Sequence, residues 1–257
     1  MKLSPRSKFS LFALVGGSIA CATSLSAATL MGSFADYDET PVDLTASGDL
    51  DWAYWESTSN PFPAPGITNS KLGGTLIASP TVVGSGNLRG SNSNTFVDVT
   101  FSDGTSPASG SVAGLSGIFS TSLNTPGAGI SIDITLPEAG VTYYITLWGS
   151  EYATQTSGNT GGIFTASLPG ASDYTYNAFY GPDTSPKASA VYTITASADN
   201  NNDVLTLTYV LPSQTKNNGH VLFDALTVSA VPEPSTYALI IGAAAFVGLV
   251  MRRRHTR

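Results

Sequence analysis

The sequence predicts an all-β protein: a single jelly-roll-like β-sandwich of about 10–11 strands, with an N-terminal signal-peptide helix and a C-terminal transmembrane helix. Three observations carry this reading. Between residues 29 and 230 the apolar residues come in short runs, several of which alternate with polar residues at period two. The stretches between these runs are dominated by Gly, Ser, Thr, Asn and Pro, the residues that turns require. No amphipathic helical stretch interrupts them, and no repeat of about 20–50 residues suggests a solenoid or propeller.

Alternation is clearest over residues 95–101, 130–136, 142–148, 163–168, 190–195, 204–210 and 221–228. In 130–136 (ISIDITL), Ile130, Ile132, Ile134 and Leu136 share one face while Ser131, Asp133 and Thr135 share the other, the pattern of a half-buried strand. Weaker strands are expected over 50–55, 75–78, 117–120 and 173–179. About 200 residues suffice for one extensive core.

The two ends read differently. Lys2, Arg6 and Lys8 precede an apolar run over 9–20 and the small residues Ser26-Ala27-Ala28, the layout of a secretory leader covering 1–28. Cleavage is expected after Ala28, with Ala27 nearly as good. Cys21 raises a lipoprotein alternative, but Ser18-Ile19-Ala20 lacks the Leu expected three residues before a lipid-bearing cysteine. Loss of the leader leaves a mature chain without cysteine, and so without disulfides.

At the other end, Val231, Pro232, Glu233 and Pro234 open the segment 231–257, and Pro at two of three positions excludes regular helix or central strand. Residues 237–251 are uncharged, roughly 22 Å as a helix. That is a thin span against a hydrocarbon core of about 30 Å. Arg252, Arg253 and Arg254 close it and would stay on the cytoplasmic side, holding the domain outside.

The charges are unevenly spread. Between the two ends stand four bases (Lys71, Arg89, Lys187, Lys216) and 17 acids, a net of −13. Such a surface argues against nucleic acid as a partner, since phosphate binding needs clustered Lys and Arg.

Two resemblances follow from these motifs. The order Val231-Pro232-Glu233-Pro234, short apolar span, Arg252-Arg253-Arg254 resembles the PEP-CTERM sorting signal of Gram-negative bacteria. It implies anchoring in the inner membrane, then processing near Pro-Glu-Pro by exosortase, a transpeptidase-like enzyme, and delivery to the cell surface or beyond. Signal peptidase and exosortase are thus the implied partners. The stretches VDLTASGDLDWAYW (42–55), NSKLGG (69–74), FSDGTSPAS (101–109) and TYYITLWGS (142–150) resemble a galactose-binding-like, carbohydrate-binding-module-like β-sandwich of exported bacterial proteins. That resemblance implies an accessory binding module, with extracellular polysaccharide as ligand, and carries no catalytic residue set.

Sugar rings pack their C–H faces on aromatic rings while polar side chains meet the hydroxyls. Trp52, Tyr54, Trp55 and Trp148 are therefore the candidate platform, with Tyr152 nearby in sequence and Asp49, Asp51 and Arg89 as polar partners. Alternation places Trp52 and Tyr54 on one face and Trp55 on the other, and Tyr144 with Trp148 opposite Tyr143. Exposure of several coplanar rings would favour binding; joint burial of Trp52, Trp55 and Trp148 would favour a purely structural matrix component.

For a metal, Asp199, Asn201 and Asp203 give the start of an EF-hand-like loop. Val204 replaces its Gly and Val210 its final Glu, so a structural Ca²⁺ is an expectation set against a plain solvated turn. Asp36, Asp38 and Glu39 form a second acidic cluster. No enzyme is expected. His220 stands alone in the module, no G-x-S-x-G elbow occurs, and only a carboxylate pair drawn from Glu56, Glu138 and Glu151 would remain for glycoside hydrolysis.

Overall fold

A computed structural model describes residues 27–56, 68–91, 95–152, 161–177, 187–212 and 219–231. Residues 1–26, which hold most of the expected leader, and the residues beyond Val231, with the expected transmembrane helix, lie outside the described residues. The first elements are β1 (Thr29–Asp36), β2 (Val42–Asp43), a one-turn helix α1 (Leu44–Ser47), β3 (Asp51–Tyr54) and β4 (Asn69–Ser70). Five short strands follow: β5 (Thr81–Val83), β6 (Leu88–Gly90), β7 (Val99–Phe101), β8 (Gly110–Val112) and β9 (Ile118–Ser120). The long strands come last: β10 (Gly129–Leu136), β11 (Thr142–Tyr152), β12 (Ile163–Ser167), β13 (Tyr174–Asn177), β14 (Lys187–Ser197), β15 (Asp203–Val210) and β16 (His220–Ala230).

These strands form three sheets. The first runs β1-β14-β11-β16-β3-β4, with β9 joining β16 and β6 joining β9. The second runs β13-β12-β15-β10-β5, and the third is a small sheet, β2-β7-β8. Every pairing is antiparallel except β2 with β7.

The first sheet is the middle layer, because its two faces feed two cores. One face sends Ala53, Trp55, Ile145, Leu147, Tyr192, Ile194, Phe223 and Leu226 against Ile130, Ile132, Ile134, Phe164, Leu205 and Leu207 of the second sheet. The other sends Trp52, Tyr54, Trp148 and Ala225 against Leu44, Val97, Val99, Phe101 and Leu115 of the small outer layer. The alternation read from the sequence is realised on β3, where Trp52 and Trp55 enter different cores, and on β10, whose three isoleucines and Leu136 are all buried.

β16 lies between β11 on one side and β3 and β9 on the other, and nearly every residue is buried. A strand covered on both faces reads as a continuous apolar run, as HVLFDALTV does. Its register with β11 shifts between Trp148↔Ala225 and Gly149↔Phe223, leaving Asp224 as an extra residue in a β-bulge.

At the β1 end the two large sheets are joined by rings. Phe34 stacks on Tyr176 at 4.2 Å, and Phe164 stacks on Tyr192 at 4.2 Å. Gly32 makes this possible: a Cβ there would lie 2.4 Å from the Tyr174 ring.

Among the described residues sixteen strands stand where about 10–11 were expected, because β2, β4, β5, β6 and β8 are two or three residues long, too short for alternation to show. Three further features depart from the sequence expectation. The outer layer makes the protein more than a two-sheet sandwich, with α1 capped by Asp43, whose Oδ1 accepts from the Ala46 N–H at 3.1 Å. The strand expected over 75–78 is only an isolated bridge between Ile77 and Ile134, because the Leu76 and Ile77 N–H groups are taken by Asp51 Oδ2. β1 was not foreseen, since Gly32 occupies an inward position and Met31, an apolar residue, faces out at 65 % exposure.

Candidate functional site

The last strand ends where the Pro-Glu-Pro segment begins. Ala230 pairs with Tyr143, and the Val231 N–H donates to Thr142 O at 2.8 Å. Pro232 is therefore the next residue after the ladder, with no linker between. At this pole the β10–β11 and β14–β15 turns are tied together. Gly140 N–H donates to Ala198 O and Asn202 N–H to Leu136 O, each at 2.9 Å.

That tie accounts for the acidic loop. Asn201 Oδ1 accepts from the Ala139 N–H at 2.9 Å, and Asp203 Oδ2 accepts from the Asn200 N–H at 3.0 Å. Asn201 and Asp203 are thus used in turn structure, with Asn202 at φ 63°. Among the described residues no group of three or more His, Cys, Asp or Glu is placed to hold a metal ion.

The aromatic candidates are core. Trp52, Tyr54, Trp55 and Trp148 are all buried, and the small outer layer covers Trp52, Tyr54 and Trp148. None of these rings offers a face to a ligand. Asp49 is exposed, and Arg89 lies exposed on β6 opposite Phe119. Asp51 is buried and accepts from the N–H groups of Trp52 (2.8 Å), Leu76 (2.7 Å) and Ile77 (3.1 Å). Burial pushes its carboxyl up, and those three donors with Lys71 oppose the shift without cancelling it.

The stretches 42–55, 69–74 and 101–109 converge on one polar corner over the outer core. Asp103 Oδ1 accepts from Trp52 Nε1 at 2.8 Å and from Thr45 Oγ1 at 2.7 Å, and Asp103 pairs with Lys71. Burial alone would raise the Asp103 carboxyl, but the bonds from Lys71, Thr45 and Trp52 outweigh it and hold it below the usual range. Asn69 fixes the next turn. Its Oδ1 accepts from the N–H groups of Ser70, Thr105 and Ser106 and from Thr105 Oγ1, while its Nδ2 donates to Pro107 O. These three stretches therefore build structure, with their polar atoms turned on one another.

Two buried carboxylates were not singled out as site groups from sequence. Asp224, at the bulge, accepts a hydrogen bond from Ser150 Oγ, which lies 2.7 Å from Ser189 Oγ. Asp224 Oδ1 has no partner among the described residues, and it faces Gly117 (φ 65°), where a Cβ would stand 2.3 Å from it. Desolvation, only partly countered by Ser150, raises the Asp224 carboxyl to about 8. Glu151, named from sequence only as one of three carboxylates open to a glycosidase pair, accepts from Tyr209 Oη and the Gly162 N–H. An acid inside the run 221–228 was the one available signal for Asp224.

His220 is half-buried in a ring stack, 4.3 Å from Phe119 and 5.1 Å from Tyr152 by centroids. Glu138 precedes β11 and Glu151 lies near its far end, about 30 Å apart at roughly 3.4 Å per residue. A glycosidase pair needs separations of about 5–10 Å.

Taken together, these features define a β-rich module with two cores, whose last central strand leads straight into a C-terminal address. Residues 230–254 match the family model for the PEP-CTERM protein-sorting motif. The chain thus carries the mark of an exported, exosortase-sorted protein. No curated protein matches the chain at a significant level. The apolar run 237–251 lies outside the described residues, among which no helix is long and apolar enough to cross a membrane.

Proposed function

We propose that this chain is a structural component of the cell surface or extracellular matrix, delivered by its sorting motif and acting through its fold rather than through a ligand or a reaction. The joint burial of Trp52, Trp55 and Trp148 carries this reading, because it removes the aromatic platform that the sequence offered for a sugar. The polar corner supports it. Asp51, Asn69 and Asp103 spend their hydrogen-bonding capacity inside the fold. Leader and tail then serve delivery, with signal peptidase and exosortase as transient partners and the inner membrane as a stage.

A second reading, binding of extracellular polysaccharide, rests on one other observation. Phe119, His220 and Tyr152 form a half-buried ring stack beside exposed Arg89. Co-sedimentation of the exported protein with the producing cell's own polysaccharide separates the two. The structural reading expects no saturable binding. Saturable binding weakened by Tyr152→Ala would replace it with the second.

A further inference from the structure

β1 closes one side of the middle sheet. It pairs with β14 through eight consecutive residues, Thr29↔Ser197 to Asp36↔Ala190, without a register shift. Among the described residues no strand pairs with its other side. An open edge of this kind presents a row of unpaired N–H and C=O groups, and proteins usually blunt it by shortness, charge, proline or a bulge. The other ends of the large sheets are short: β4 has two residues, β5 three and β13 four. β1 has eight residues and none of the blunting devices before its last one. Thr29 to Ala35 carry no charged side chain and no proline, and Asp36 is the one charged side chain, at the end.

The outward row of this edge is Thr29, Met31, Ser33 and Ala35, all exposed. It is a neutral strip on a module with a net charge of −13. The edge is also held in place from beneath, by Tyr174 against Gly32 and Tyr176 against Phe34, so little ordering cost remains for a strand that adds to it.

We infer that β1 is an assembly edge whose partner is β1 of a second copy, joined antiparallel about a two-fold axis. A two-fold contact must be self-complementary, and this strand satisfies that condition. With the axis at Gly32, Met31 lies opposite Ser33 of the second copy, Thr29 opposite Ala35, and Leu30 opposite Phe34. Directly opposed residues share a face, so the outward row meets an outward row and the inward row an inward one. Once the leader is cut after Ala28, Asp36 falls beside the Thr29 α-ammonium of the second copy, and no like charges meet. A strand from a cationic partner would find no carboxylate in the row to select it. The middle sheets of the two copies become one continuous sheet, as in recognition by strand addition. The inference rests on the structural reading above, yet a monomer would overturn it and leave that reading standing.

The test is the mass of the exported protein, recovered from the producing cell, by sedimentation velocity across a concentration series. Wild type is expected as a dimer and Ser33→Lys as a monomer at the same concentration, because each interface would then hold two ammonium groups on diagonal neighbours. Ser33 faces solvent, so at concentrations low enough to dissociate the wild-type dimer the two melting temperatures should agree. An equal mixture of Ser33→Lys and Ser33→Glu should restore the dimer, which separates pairing from misfolding. A monomeric wild type, or a dimer indifferent to Ser33→Lys, overturns the inference.

Discussion

Asp224→Asn probes the most unusual electrostatic feature of the fold. Asp224 is fully buried, with Ser150 Oγ as its one donor among the described residues, and its carboxyl is raised to about 8 from 3.8. Between those values the folded protein holds a proton that the unfolded chain has released. Stability from this group is therefore complete below about pH 4 and is lost as pH rises toward 8. The slope is about 1.4 kcal/mol per pH unit, since one unit of pKa difference is worth that much. Asparagine keeps an oxygen for Ser150 but cannot ionise. It carries a cost of its own for a second N–H in an apolar site, and that cost is the same at every pH. The informative quantity is the change in the mutant-minus-wild-type difference between pH 4.5 and pH 7, expected at about 3 kcal/mol in favour of Asn. Urea unfolding midpoints and slopes at the two pH values supply it, and carboxylates common to both proteins cancel. Parallel pH curves for mutant and wild type would show that Asp224 does not carry its proton into the folded state.

Gly32→Val drives side-chain atoms into the Tyr174 ring, so a loss of about 1–3 kcal/mol is expected in thermal melting. Asp51→Ala strands three N–H groups and releases the 75–78 segment; a loss of roughly 3 kcal/mol or more in chemical denaturation is expected. For Asp103, whose carboxyl is held low, stability is present above the ordinary carboxylate range and lost as pH falls through it; Lys71→Met should flatten that acid limb in a melting series. Intact-mass measurement on protein from the producing cell should show loss of most of residues 235–257, and retention of Arg252 to Arg254 would indicate a permanent anchor instead.

Much of the middle of the fold was legible because period-two alternation is a local property. The strands over 130–136, 142–148, 204–210 and 221–228 all reappear, and Trp52, Tyr54 and Trp55 fall on the faces that alternation assigns. What alternation cannot give is the cover on each face. Trp52 and Tyr54 look like a ligand platform until Leu44, Val97, Val99, Phe101 and Leu115 are placed over them, and those residues come from segments remote in sequence. The same limit applies to Asp51 and Asn69. Asp51 reads as a polar partner for a ligand, whereas its remote partners are the N–H groups of Leu76 and Ile77. Asn69 likewise accepts from Ser106, 37 residues away. β1 escaped notice because the signal for a strand is its side chains, and Gly32 has none where Tyr174 needs the space.

The placement of β16 ties fold to sorting. It is bonded to β11 along one side and to β3 and β9 along the other, and it contributes to both cores. Without it β11 has no neighbour on that side and β3 loses its main partner, so the middle sheet cannot close. This strand is also the last part of the domain to be delivered, next to the segment that would hold the chain in the membrane. The middle sheet is therefore complete only once β16 has been delivered, and the Pro-Glu-Pro element follows it directly in sequence. Among the described residues the last backbone bond to the sheet is made by Val231. A cut anywhere beyond that residue removes no rung of the ladder and no described core side chain. Such a cut leaves the described sheets and cores intact, although sorting motif and central strand are adjacent in the chain.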